Sequence, residues 1–155
     1  MILLIKTKYT NKKIFVYIAF IIYCLFLIYV LFINKNFRNN LRMINLKPFA
    51  TIQRYINAIK HNYIKPEIGF INIGANLFLF TPMGFFISIF SNKRLNNIII
   101  FLLLNFLIIT SVEFIQYFTS TGSADVDDII LNMIGALFGY ILMKIKNIKR
   151  LIKNF

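Results

Sequence analysis

The sequence predicts an all-α integral membrane protein: a compact bundle of about four transmembrane helices with one amphipathic helix on the surface. Three observations predict it. The chain has 155 residues and is 59% hydrophobic, with a mean hydropathy of +0.72. A soluble domain of that size has too little interior to hide so much apolar surface, so lipid must act as the solvent. Four stretches, at about 14–33, 68–90, 97–118 and 126–145, are apolar over most of a bilayer-crossing length. The Lys and Arg fall between those stretches and at the chain ends and produce a net charge of +13. That placement is the pattern of membrane-orientation signals and headgroup contacts, not of nucleic-acid binding.

Each element follows from local chemistry. Ile14 to Ile33 carries no charge, Asn or Gln. At about 1.5 Å per residue it spans the roughly 30 Å hydrocarbon core. It is too long for a signal-peptide core, and Asn34-Lys35-Asn36-Phe37 has no small-x-small cleavage site, so an uncleaved first helix is expected. Residues 34–67 form the long basic connection. Within it Ile52, Tyr55, Ile56, Ile59 and Tyr63 recur at helical spacing, with Arg54, Lys60 and His61 off that stripe. Pro48 suits a helix start and Pro66 a stop, so an amphipathic helix over 50–64 lying on the membrane surface is expected. His61 is expected to be solvated.

The second stretch contains Asn72 and Asn76, which share a face that should turn into the bundle. The third is interrupted by Asn105 and ends near Glu113 and Gln116. The fourth reaches bilayer length only if Asp127 and Asp128 lie at the interface or just inside it. The single Cys24, mid-span, permits no internal disulfide and no cysteine-rich metal site. One membrane domain covering 1–155 is expected. With both termini cytoplasmic, eleven of the 18 Lys and Arg lie inside and seven outside, so that orientation is preferred and puts the turn at Thr119 to Ser123 outside.

The acids mark the candidate site. Of five acidic residues, Glu113, Asp125, Asp127 and Asp128 fall within one short stretch between and inside two apolar runs. A charge at the centre of a span costs about 2.5–3.5 kcal/mol, so such residues are functional candidates. Glu113 and Gln116 share one helix face, and Asp125, Asp128, Asn132, Gly135 and Gly139 run along one stripe of the fourth span. Gly135 and Gly139 form a small-xxx-small pair that lets another helix approach closely. Asn76, Glu113, Gln116, Asp125, Asp128 and Asn132 are therefore expected to line a polar pocket one or two turns deep. Plainer roles stand beside this: Asp125 as a helix cap, Asp127 as a solvated residue, Asn132 and the glycines as packing. Glu113 and Asp128 are the candidates for acid–base chemistry. The chain has no Gly-rich phosphate loop and no paired His motif, and neither a cofactor nor a metal is expected.

Several of these residues also make up a family pattern. Asn45-Leu-Lys-Pro48-Phe49 resembles the Asn-Leu-x-Pro-Phe motif of VanZ-like membrane proteins, and Asn76-Leu-Phe-Leu-Phe80-Thr-Pro82-Met-Gly84-Phe resembles their second-span signature. Glu113-x-x-Gln116, Asp125-x-Asp127-Asp128 and Asn132-x-x-Gly135-x-x-x-Gly139-Tyr140 resemble their third and fourth spans. The resemblance covers about 45–140, and the first span and the tail carry none of it. Some relatives have an Arg in the turn before the acidic cluster, where this chain has Thr121-Gly122-Ser123. The resemblance implies a bacterial cell-envelope protein of a group named for glycopeptide (teicoplanin) resistance. The expected partner is a membrane lipid headgroup, a lipid-linked wall precursor or a lipoglycopeptide, held in an outward pocket. The rival class is a membrane enzyme using Glu113 and Asp128 on a lipid-linked phosphate or sugar. A proton-coupled carrier is less favoured, because four spans without an inverted repeat lack that architecture.

Overall fold

The computed structural model describes residues 2–34, 44–90 and 97–145, with side chains from residue 13 onward. Lys6, Lys8 and Lys12 and the basic residues in 35–43, in the turn at 91–96 and in the tail from 146 lie outside the described side chains. Helix α1 (Ile2–Ile28) continues into one π-helical turn at Tyr29–Ile33. Strand β1 (Ile44–Asn45) precedes α2 (Ala50–Lys60), and α3 (Pro66–Phe90) and α4 (Ile98–Phe118) follow. Strand β2 (Ala124–Asp125) leads into α5 (Val126–Lys144). Among the described residues four helices are long and apolar enough to cross a membrane, the first of them over Lys13–Ile33. The expected all-helical membrane fold is the observed one.

The α3–α5 pair forms the centre of the bundle, and small residues are the reason. A Cβ placed on Gly84 would overlap the Ala136 carbonyl; one on Gly135 would overlap that of Leu77; one on Gly139 would overlap that of Thr81. The two backbones therefore touch, as lipid-embedded helices do when small residues face each other. Phe80, Met83, Phe101, Ile109 and Ala136 fill the core around that contact, and Phe101 packs on Tyr140 with ring centroids 4.5 Å apart. Helix α1 joins α3 through aromatic side chains: Tyr17 stacks on Phe90 at 5.1 Å and Phe20 meets Phe86 edge-on at 5.4 Å. The Tyr23 hydroxyl donates to the Leu79 carbonyl at 2.8 Å, which satisfies its polar tip inside an apolar stretch. The outward faces, such as Phe15, Ile22, Phe70, Phe78 and Leu107, are exposed apolar surface fit for lipid.

Helix α2 differs from the expected surface helix. It ends at Lys60, and Pro66 opens α3 as its first residue, a position where the missing N–H costs nothing. Its inner side rests on α3, where Gly69 leaves room for Ile59. Of the expected apolar stripe, Ile52, Tyr55 and Ile59 are partly buried, whereas Ile56 and Tyr63 are exposed. The buried side of the helix is set by tertiary contact with α3 and α5, which periodicity alone does not encode.

One short feature had no sequence signal. Strands β1 and β2 pair in parallel, with Ile44 opposite Ala124 and Asn45 opposite Asp125. The pairing ties the connection before α2 to the turn before α5, and so gathers both at one end of the bundle.

Candidate functional site

At that end the acids divide into two kinds. Asp127, expected to be solvated at the interface, is fully buried. Its carboxylate accepts from the backbone N–H of Phe49 at 2.5 Å, of Thr51 at 2.8 Å and of Ile52 at 3.1 Å. These are unpaired donors at the start of α2, where the helix has no side-chain cap of its own. A carboxylate there gains charge-assisted hydrogen bonds and the positive end of the helix dipole, which offsets its desolvation. Phe49 sits in the left-handed region with φ 64°, a strained setting for a bulky residue.

Asp125 caps α5 through the Asp127 N–H at 2.9 Å, as the capping reading expects. It does more than cap. It also accepts from the Asn45 amide at 3.0 Å and the Thr51 hydroxyl at 2.5 Å, and Asn45 donates to Thr51 as well, at 3.1 Å. Both oxygens of Asp125 are thereby committed to protein groups, although the residue borders the cavity. Asp125 and Asp127 together fasten α2 and its leading strand over the bundle end.

The other two carboxylates face a cavity of about 780 Å³. Asn76, Glu113, Gln116, Asp125, Asp128 and Asn132, the six residues expected from sequence, all lie on its wall. They come from three spans, and the α3–α5 glycine contact is what brings Asn76 and Asp128 into a direct hydrogen bond. Asn132, 2% exposed, donates from its amide to Glu113 at a long 3.5 Å. Its Oδ1 is buried without a partner. Gln116 reaches the other way and donates to the Leu31 carbonyl beside the π-helical turn at 3.2 Å.

Six further polar residues outside the expected ligand set line the cavity: Asn45, Thr51, Arg54, Tyr55, Asn72 and Ser123. Asn45 belongs to the Asn-Leu-x-Pro-Phe motif, so its position carried a signal, but no spacing rule links it to a partner 80 residues away. Arg54, expected off the stripe, is exposed and borders the cavity. Burial holds the Tyr55 phenol above the ordinary tyrosine range, with Asp128 adding to the effect, so it stays an uncharged hydroxyl. His61 is exposed, as expected.

An apolar groove of about 580 Å³ adjoins the polar cavity. Tyr23, Phe26, Phe78 and Pro82 form it between α1 and α3, and Val30, Ala75 and Leu79 belong to both walls. A polar chamber and a lipid-facing slot thus share one partition. Among the described residues no group of His, Cys, Asp and Glu is arranged to hold a metal ion.

Comparison with known proteins finds one family: the profile of VanZ/LLP1 matches residues 20–147. The match extends upstream of the motif-bearing 45–140 region into the first span, which sequence motifs alone left out. No curated protein and no solved structure matches the chain.

Proposed function

The chain belongs to the VanZ/LLP1 family of multi-pass membrane proteins, and from that premise we propose that it is a cell-envelope protein whose polar cavity binds the headgroup of an amphiphile. The occupant is a membrane lipid, a lipid-linked wall precursor or a lipoglycopeptide, and through it the protein contributes to teicoplanin resistance. The termini are cytoplasmic in this reading, so the cavity end faces outward. The observation that carries the proposal is the shared partition of Val30, Ala75 and Leu79. It sets an acid- and amide-lined chamber beside an apolar slot, the two environments that the two ends of an amphiphile require.

The test is susceptibility of cells lacking the protein, complemented with wild type or with Asp128→Ala at matched expression. Loss of teicoplanin tolerance in both the deletion and the variant is expected. Unchanged susceptibility in the deletion would remove the resistance role. Wild-type behaviour of Asp128→Ala would remove the cavity from it.

A second reading has one observation in its favour: Glu113 and Asp128, on neighbouring helices, face the same cavity. Two such carboxylates are the equipment of a membrane enzyme acting on a lipid-linked phosphate or sugar by acid–base chemistry. A lipid species that accumulates in the deletion strain and is consumed by the purified protein would establish it.

A further inference from the structure

The side-chain amides around the cavity are largely occupied by the protein itself. The Asn45 amide donates to Asp125 and Thr51, and the Thr51 hydroxyl donates to Asp125. The Asn76 amide is spent on Asp128, the Asn132 amide on Glu113, and the Gln116 amide on a backbone carbonyl. Each of these amides has at least one N–H turned on the protein's own acceptors. On the spans the cavity presents acceptors, the carboxylates of Glu113 and Asp128, with the buried and unpartnered Oδ1 of Asn132 beside them; the hydroxyls of Tyr55 and Ser123 and the Arg54 guanidinium line it from α2 and the turn before α5. An orphan acceptor in such a place costs free energy until a donor reaches it.

An inserted phosphate would meet two carboxylates and a bare carbonyl, all repulsive at short range. A primary ammonium meets the reverse. It has three donors and one positive charge, and the cluster offers carboxylate and amide oxygens on two helices. The one guanidinium on the wall, Arg54, belongs to α2, outside the spans, and suits a phosphate that follows behind.

We propose that the cavity receives a zwitterionic lipid headgroup with its primary ammonium leading, held by Glu113, Asp128 and Asn132 Oδ1, and with its phosphate toward Arg54. This rests on the reading of the cavity as a lipid-headgroup site and names its ligand class.

The experiment uses the full chain purified from mixed vesicles of phosphatidylethanolamine, phosphatidylcholine and phosphatidylglycerol, with retained lipid identified by native mass spectrometry. Retention of phosphatidylethanolamine over phosphatidylglycerol by about tenfold is expected, the size of one charge-assisted hydrogen bond. Phosphatidylcholine, which keeps the charge but has no N–H donor, should fall between them. Glu113→Gln and Asp128→Asn, which preserve shape, should bring the ratio close to one. The choline comparison needs no variant, so a folding defect cannot imitate the result.

Equal retention of all three lipids in the wild type overturns the proposal. Preferred phosphatidylglycerol that is lost in Asp128→Ala overturns the ammonium assignment and leaves the cavity as a headgroup site. No lipid held above bulk overturns both readings.

Discussion

The backbone N–H of Thr51 donates to the Asp127 carboxylate at 2.8 Å, across 76 residues of sequence. The same carboxylate serves Phe49 and Ile52, so one side chain of the fourth span caps a helix that lies outside the spans. Helix α2 therefore belongs to the site. It is a fixed cover whose anchor is Asp127, with Asp125, Asn45 and Thr51 as the second fastening.

Asp127→Ala should release that cover. A hydrogen bond to a charged group contributes about 1.5–3 kcal/mol, and three are lost together. The expected outcome is a lowered melting temperature in detergent and faster amide exchange at residues 49–52, with the four spans still helical. Exchange at wild-type rates would mean that α2 is held by its apolar contacts alone.

Gly135→Ala tests the central helix pair. The added methyl would strike the Leu77 carbonyl of α3, which is backbone and cannot swing aside. Overpacking of this kind costs about 1–3 kcal/mol. Because the same contact brings Asn76 to Asp128, reduced thermal stability should be accompanied by weaker ligand retention. A variant as stable as wild type would show that α3 and α5 can separate without cost.

The orientation can be read by cysteine labelling in a Cys24→Ala background. Tyr63 is 80% exposed in the α2–α3 connection and is a suitable reporter. Tyr63→Cys should react with an impermeant thiol reagent in intact cells, and Lys149→Cys should react only after the cells are opened. The opposite pattern would invert the topology and turn the cavity toward the cytoplasm.

Glu113 separates binding from catalysis. Glu113→Gln keeps the side chain's length and one hydrogen-bonding oxygen, whereas Glu113→Ala removes both. If the protein acts by binding, Gln should retain a substantial part of the activity and Ala should not. If it transfers a proton, Gln should lose about 10²–10⁴-fold in rate and Ala no less. Full activity in both variants would remove Glu113 from the function.

Much of the membrane architecture was legible because it is written in local terms. Twenty apolar residues in a row must span a bilayer whatever surrounds them, and the expected first span of 14–33 agrees with Lys13–Ile33. Acids set against apolar runs pointed to this end of the bundle, where all six expected residues line one cavity. Only the tertiary structure decided how those acids divide the work. Asp127 and Asp128 are adjacent, equally charged and equally close to the interface in sequence. A helix turns by about 100° per residue, however, so they point to different neighbours. One meets the unpaired N–H groups of α2 and becomes an anchor, and the other meets Asn76 and opens to the cavity. The two-residue β pairing and the place of Arg54 on the cavity wall were invisible for the same reason. The pairing joins residues 80 apart, and Arg54 reaches the cavity only through the packing of α2 on the bundle that Gly84, Gly135 and Gly139 hold together.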